Sequence, residues 1–378
     1  MIFDKVCYNE SDMKIECSVE KLRNAVNKVG RIPQKSATLP ILACLVLEAK
    51  ANNLIIKATN LELGIEMTLP VKMYSEGSVA VSAALFIQFV SSISFEQNVV
   101  LSVENNSLVI ETTKSRTILN ILPTTDFPGI PRLEEGREVE MDPKKFVYGA
   151  KMVIYAASIS SIRQELSSVY IHHQDSKFLT FVATDSFRLA EKKIKVEKID
   201  SIVSLMIPQK NLAEILHLLA EVEEVTMLVD KSQIVFYNQD LYIFSRVVEG
   251  NYPDYLKIVP TNFVSVVEVV KQELVESLKS VNLFVDNFQQ IRLSFEKDTT
   301  KMEVSAKNNE KGENKVQLAV KVKGDGLSLG FNNRYILDGL GSIESDILEL
   351  CFAGPNKAVV IKGKNDQSFQ YLVMPMNK

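Results

Sequence analysis

The sequence predicts an α+β protein built from three copies of one domain, each with two helices packed on antiparallel sheets. Three observations predict it. Two sets of amphipathic helices recur at one period, strand-like stretches recur at the same period, and a pair of alternating strands closes each third. The chain has 378 residues, too many for one ordinary core and enough for two or three domains.

The first helix set lies at Ser18–Arg31, Asp142–Ile154 and Val270–Val281. Its apolar positions are Val19, Leu22, Val26 and Val29, then Phe146, Ala150, Val153 and Ile154, then Val270, Leu274, Leu278 and Val281. Steps of three and four keep each group on one helix face. Asp142 followed by Pro143 is a good N-cap and N1 pair. The second set lies at Ser82–Ile93, Pro208–Leu219 and Asn332–Ile343. From Phe86 to Leu212 is 126 residues, and from Leu212 to Ile336 is 124.

The strand-like stretches LIIKATN, LTFVATD and MEVSAKN begin at Leu54, Leu179 and Met302. Their shared alanines, Ala58, Ala183 and Ala306, are 125 and 123 residues apart. Each third closes with alternating strands: LVIETTKSRTILNIL, IVFYNQDLYIFSRVV and VVIKGKNDQSFQYLV. The Pro-containing turns around Asp126–Glu138 and Asn251–Pro260 mark the boundaries.

Hydrophobic residues make up 46% of the chain and charged residues 24%, as in a globular protein. The net charge of -4 disfavours a simple basic nucleic-acid binder. Any contact with DNA must come from basic groups gathered on one surface. Cys7, Cys17, Cys44 and Cys351 form no C-x-x-C pair and read as reduced thiols. No apolar run reaches the ~18 residues of a membrane span. The start MIFDKVCYNESD is not a signal peptide. The expected location is the cytoplasm, with no membrane partner.

No catalytic residue, metal ligand or cofactor site is expected. The chain lacks a Walker-type glycine loop, G-x-G-x-x-G, H-E-x-x-H and G-x-S-x-G. His172 and His173 are adjacent in a strand, so they point to opposite faces. Glu221, Glu223 and Glu224 read as a solvated turn. Thr184-Asp185-Ser186-Phe187-Arg188 could suggest a serine nucleophile, but no base stands near it in sequence, and a strand-to-turn connection is the better reading. A hydrolase or transferase with an unrecognised site would show turnover that is lost on changing Asp185. A β-rich scaffold that binds peptides without encircling DNA is the other alternative.

Basic residues recur on corresponding helices. The first set carries Lys21, Arg23, Lys28 and Arg31, with Lys35 following, then Lys144, Lys145 and Lys151, then Lys271 and Lys279. The second set adds Lys210 and Arg334. Few aromatics interleave, so backbone-directed, sequence-independent contact with duplex suits them better than single-strand stacking.

In order along the chain come Thr38-Leu39-Pro40-Ile41-Leu42, ATNLELGI from Ala58, Asp126-Phe127-Pro128, ATDSFRLA from Ala183, EGNYPDY from Glu249 and Met374-Pro375-Met376. This ordered set resembles the β subunit of bacterial DNA polymerase III, the sliding-clamp family, from about Met13 to Lys378. The resemblance implies three DNA-clamp domains at 13–133, 140–257 and 258–378; residues 1–12 have no counterpart in it and read either as an N-terminal extension or as sequence ahead of a true start at Met13. It implies a non-catalytic processivity factor, a ring-shaped homodimer that encircles double-stranded DNA and binds it without sequence preference. The implied protein partners are the DNA polymerase III catalytic subunit, the clamp loader, and other polymerases and repair proteins with clamp-binding motifs.

The resemblance also carries site residues over to this chain. A partner-peptide cleft falls on Leu166, Thr184, Arg188, Leu189, Pro253, Lys257, Ile258, Asn356, Ala358, Leu372, Met374, Pro375 and Met376. DNA-facing positions fall on Lys28, Lys35, Lys210, Asn332 and Arg334. The dimer border falls on Thr117, Leu119 and Leu283. The chain departs from the family pattern at Ser186-Phe187, where Gly-His is common, at Lys257, where Arg is frequent, and at Ser36, a position often basic in the family.

Overall fold

The computed structural model describes residues 13–33, 39–94, 96–133, 136–139, 142–175, 177–196 and 204–376. Lys35, Ser36, Thr38, Cys7 and the rest of residues 1–12 lie outside the described residues. The chain divides into two compact units, Met1–Pro143 with His217–Val247, and Lys144–Leu216 with Val248–Lys378.

The first unit is organised on β1 (Lys14–Ser18), β2 (Cys44–Lys50), β3 (Asn53–Thr59), β4 (Leu63–Pro70), β5 (Lys72–Ser75), β6 (Gly77–Ser82), β7 (Asn98–Glu104), β8 (Ser107–Glu111), β9 (Arg116–Leu122) and β10 (Arg137–Val139). The second unit takes β11 (Ser168–Asp175), β12 (Phe178–Thr184), β13 (Arg188–Lys195) and β14 (Ser204–Pro208) from the middle of the chain. The next three strands, β15 (Thr226–Val229), β16 (Gln233–Tyr237) and β17 (Leu241–Arg246), return to the first unit. The second unit is completed by β18 (Ser265–Val270), β19 (Gln290–Phe295), β20 (Lys301–Asn308), β21 (Gly312–Gly324), β22 (Leu327–Asn332), β23 (Ile347–Phe352), β24 (Val359–Gly363) and β25 (Phe369–Val373).

Each unit holds one continuous antiparallel sheet. The orders are β10-β15-β16-β17-β4-β3-β2-β6-β9-β8-β7-β1-β5 and β14-β11-β12-β13-β25-β24-β23-β18-β21-β20-β19-β22. Strands of the middle third are therefore divided between the two sheets.

Six helices match the two expected sets: α1 (Val19–Val29), α2 (Ala83–Ser92), α3 (Pro143–Lys151), α4 (Gln209–Leu219), α5 (Lys271–Val281) and α6 (Asn333–Leu340). On α1 the apolar stripe Val19, Leu22, Val26 and Val29 is buried. Each such side chain contributes about 1.5–3 kcal/mol of burial. Ser18 caps α1 by accepting from the Lys21 amide at 3.5 Å, a long bond. Gly30 ends it where a Cβ would lie 2.6 Å from the backbone Val26 O as well as 2.3 Å from Ile87 Cδ1, so a side chain there would force a shift in the helix end and in α2.

Two helices are shorter than the sequence predicts. After Lys151 the α3 backbone tightens, with Val153 N–H bonding Ala150 O at 3.2 Å before a 3-10 turn at Ile154–Ala156. At the end of α6 Gly341 follows, and Ser342 N–H closes back on Gly339 O at 3.1 Å.

The recurrent ATN/ATD signature is a turn. Asn60 Oδ1 accepts from the amides of Glu62 and Leu63, Asp185 Oδ1 from Phe187 and Arg188, and Asn308 Oδ1 from Glu310 and Lys311. Thr59 and Thr184 brace the first two by donating to Leu63 O and Arg188 O. Leu61 and Ser186, one residue on, adopt positive φ values of 76° and 78°. An Asx side chain holds such a turn at modest cost. Thr184 and Asp185 are thus turn-formers, as the strand-to-turn reading requires.

Two strand joints tie successive thirds together. In the first unit β17 pairs with β4, setting Tyr242 opposite Glu66. In the second β25 pairs with β13, setting Gln370 opposite Glu191. Both glutamates are buried. Arg132, from the first connecting segment, pairs with Glu66 and stacks over the Tyr242 ring at 4.1 Å. Tyr255, from the second connecting segment, donates to Glu191 at 2.7 Å, and Gln370 donates to its other oxygen at 2.9 Å. A buried carboxylate is tolerated only when bonded in this way.

Candidate functional site

The β13–β25 joint builds an apolar cluster of Val182, Leu189, Tyr255, Cys351, Ala358, Val360 and Leu372. Three predicted cleft residues, Leu189, Ala358 and Leu372, therefore meet in one floor. Leu166 and Thr184 are also buried. Pro253, Lys257 and Ile258 lie on the segment that carries Tyr255 into this cluster. Ile258 and Met374 are exposed, as are Asn356 and Lys257. Lys257 holds Asp254 at 2.9 Å.

Met374-Pro375-Met376 is anchored at both ends. Met374 N–H donates to Phe187 O at 2.8 Å, and Met376 N–H donates to Gly330 O at 2.8 Å. The unusual Ser186-Phe187 pair thus contacts the terminal segment through its backbone, while the Phe187 ring is exposed.

Arg188 is not a free surface cation. Its side chain is 10% exposed and fully engaged. Nε bonds Asp185 at 3.0 Å, Nη1 bonds Asp338 of α6 at 2.6 Å and Nη2 bonds the Tyr155 carbonyl at 2.7 Å. The guanidinium also lies 4.5 Å from the Tyr335 ring centroid. A planar fork with several donors suits this node, and an ammonium would not serve all three partners. Arg188 ties the start of β13 to α6 and to the Tyr155 carbonyl.

Sequence reasoning missed the polar network under the floor. Tyr255 Oη gives its proton to Glu191, so the contact of 3.1 Å with His172 Nε2 has the imidazole as donor. Tyr170 stacks on His172 and on Tyr252 with centroids 4.6 and 4.7 Å apart. Burial holds the His172 pKa below its usual value, and Glu191 opposes that effect. Burial and the bond to Glu191 push the Tyr255 hydroxyl pKa up. The available signal was two tyrosines flanking Pro253 in EGNYPDY.

The predicted DNA-facing residues fare unevenly. Lys210 and Arg334 are exposed on α4 and α6. Lys28 is held by Glu221 at 2.8 Å. Asn332 caps α6 by accepting from Tyr335 N–H at 3.1 Å and donates to Phe288 O at 3.1 Å, which makes its side chain structural. Arg23 and Lys271 also depart from the polyanion reading. Arg23 reaches Val90 O and Ile93 O at the end of α2, and Lys271 reaches Ile343 O after α6. Arg23 thus satisfies carbonyls at the C-terminal end of α2, and Lys271 binds a carbonyl three residues beyond α6.

At the expected dimer border Leu283 is 69% exposed, but Leu119 is 6% exposed and faces inward. Ile118, at 56%, is the most exposed apolar residue of β9, ahead of Leu122, and Thr117 is half-buried. Strand alternation explains the exchange. Among the described residues, Arg116–Asn120 pair only with β8, since β6 reaches only Ile121 and Leu122. Likewise Gly312–Ala319 of β21 pair only with β20, since β18 takes Val320–Gly324.

Among the described residues no group of three His, Cys, Asp or Glu side chains could hold a metal ion. No helix among the described residues is long and apolar enough to cross a membrane. Three copies of one α+β unit, joined strand to strand through latched sheet edges, define the class as a DNA-clamp fold. Three profiles of one family match in order: DNA polymerase III beta subunit, N-terminal domain over residues 13–131, central domain over 140–254 and C-terminal domain over 256–377. A beta sliding clamp of Rickettsia felis is 24% identical over 96% of this chain and 99% of its own length. One from Staphylococcus aureus is 26% identical over 90% and 92%. The solved beta subunit of DNA polymerase III from Thermotoga maritima is 26% identical, with a TM-score of 0.91 over 97% of this chain and 100% of that one. The Bacillus subtilis sliding clamp, at 24% identity and a TM-score of 0.92, shares the fold. The chain belongs to the DNA polymerase III beta subunit family, the sliding clamps, and is a processivity factor rather than an enzyme.

Proposed function

We propose that two copies of this chain close head to tail into a ring around duplex DNA, from three domains at 13–133, 140–257 and 258–378. One observation carries this reading. The chain contains two equivalent strand joints, β4–β17 and β13–β25. The strands that would form the third, β21 and β9, each have an edge without a strand partner among the described residues. A second copy supplies both missing edges, and closure removes the hazard of open edges. Leu283 and Ile118 are the exposed apolar residues that this border would cover.

Family membership supports partnership with DNA and with a DNA polymerase in general. The finer reading is that Lys28, Lys35, Lys210 and Arg334 meet phosphates without reading bases. The cleft takes the glutamine-and-leucine motif of the polymerase III catalytic subunit, the clamp loader and repair proteins. Its Met-rich wall adapts to varied peptides. The protein then works in the cytoplasm without a cofactor.

The test of the ring is a solution mass together with retention on DNA. A dimer retained on closed circles at moderate salt, and lost from linear DNA, supports encirclement. Rapid loss from circles would mean ordinary salt-sensitive binding. The test of the cleft is titration of a clamp-motif peptide against protein lacking Met374–Lys378. Loss of binding is expected, and unchanged affinity would move the partner site elsewhere.

A further inference from the structure

Phe187 and Met374 stand opposite each other one step beyond the β13–β25 joint. The register pairs Arg188 with Val373 and Leu189 with Leu372, and Met374 N–H donates to Phe187 O at 2.8 Å. Side chains alternate between the two faces of a sheet. Arg188 and Val373 are turned to one face, where the guanidinium meets Asp338 of α6. Leu189 and Leu372 are turned to the other, into the apolar cluster with Tyr255, Ala358 and Val360. Phe187 and Met374 continue this second row outward. The two leucines are 1% and 3% exposed, whereas Phe187 and Met374 are 61% and 41% exposed. The turn that presents Phe187 does not need its ring. Asp185 Oδ1 accepts from the amides of Phe187 and Arg188, and Thr184 Oγ1 donates to Arg188 O.

We infer that Phe187 sets the selectivity of the cleft: with Met374 it forms an apolar ledge that takes an aromatic or large aliphatic side chain from an uncharged stretch of partner peptide. The inference rests on the cleft proposed above and names what enters it. The ledge is continuous with the buried row, so a side chain laid on it covers Phe187 and Met374 beside the cluster. A phenyl ring and a thioether give an apolar guest stacking and polarisable contact, and they give a polar guest no hydrogen-bond donor. Charge points the same way. Arg188 and Lys257 are the two cations assigned to the cleft, and each is matched by carboxylates of its own chain. Asp185 at 3.0 Å and Asp338 at 2.6 Å hold Arg188, and Asp254 at 2.9 Å holds Lys257. An acidic guest gains little from cations already neutralised. An imidazole at position 187, common in the family, would bond and titrate. Phe187 does neither, so the guest is selected by the apolar surface it covers.

Two uncharged glutamine-and-leucine peptides with blocked ends test this, one closing on Phe and the other on Asn at the same position. Titrated against the full chain, the Phe peptide should bind at least about tenfold tighter. Phe187→Ala should reduce that preference to about threefold or less, with an unchanged Tm because the ring is exposed. Raising salt from about 0.05 to about 0.5 M should change the wild-type affinity by less than about threefold. A preference that survives Phe187→Ala, in a protein whose peptide binding is lost on deleting Met374–Lys378, overturns the inference and leaves the cleft standing. No binding, or binding indifferent to that deletion, overturns the cleft and the inference with it. Tighter binding of a third peptide with Asp in place of the Phe overturns the uncharged guest.

Discussion

Tyr255 Oη donates to Glu191 Oε2 at 2.7 Å, and both side chains are buried beside the apolar cluster that holds Leu189, Ala358 and Leu372. A connecting segment is thereby fastened to a central strand by one proton. Tyr255→Phe keeps the ring and removes that proton. It should lower stability by about 1–3 kcal/mol in urea unfolding, because the carboxylate keeps its burial and loses a donor. A change below about 0.5 kcal/mol would mean that the carboxylate finds another donor.

His172 gives the same network a pH dependence. Its folded pKa is depressed, chiefly by burial, with His173 and Lys193 adding to the effect and Glu191 opposing it. Tyr170 and Tyr255 cover the ring. The unfolded state therefore binds the proton more readily. The contribution is present above the unfolded value of about 6.5 and is lost as pH falls through the folded pKa. Between about pH 7.5 and 5.5 the wild-type Tm should fall more than that of His172→Gln. Parallel falls in both proteins would remove His172 from the pH response.

Arg188→Lys should cost about 2–4 kcal/mol, since Asp185, Asp338 and the Tyr155 carbonyl would compete for one ammonium. Peptide affinity should fall with it, through displacement of α6 and the terminal segment. Wild-type stability of the lysine variant, measured by urea unfolding, would exclude the guanidinium as the organising group.

Ile118→Glu and Leu119→Glu separate assembly from folding. The exposed Ile118 should give a folded monomer, particularly when combined with Leu283→Glu. The buried Leu119 should lose stability by about 3 kcal/mol or more, because a charge enters the core. Sedimentation and thermal unfolding together decide. A dimeric Ile118→Glu/Leu283→Glu protein would refute the border.

Ser186→Gly should stabilise the chain by about 1 kcal/mol, since Ser186 has φ of 78° in its Asx turn. Peptide binding should change little, because Phe187 O still receives Met374 N–H. Destabilisation in thermal unfolding would show that the serine side chain has a further role.

The fold was legible because it is repeated. One apolar helix stripe is weak evidence, but three at nearly equal spacing, with Ala58, Ala183 and Ala306 in step, restrict the chain to one architecture. The turn in ATNLELGI and ATDSFRLA was equally local, because Asn60 and Asp185 bond amides only two and three residues on. Of the residues assigned to the cleft, Leu189, Ala358 and Leu372 converge in one apolar cluster, but nothing near Arg188 in sequence announces Asp338, 150 residues away.

The sequence by itself determined the period, the element types and the apolar faces of the helices, since these depend on neighbours within a few positions. Only the tertiary structure decided which cations face solvent and which bind backbone carbonyls, as Arg23 does at the end of α2 and Lys271 does beyond α6. The same holds for β9, whose RTILNIL is apolar on both faces: burial of Leu119 and exposure of Ile118 follow from what packs against the sheet. A lysine or an arginine has the same local preferences whether its partner is water, a distant carbonyl or a phosphate. The choice belongs to long-range packing, which no short window of sequence contains.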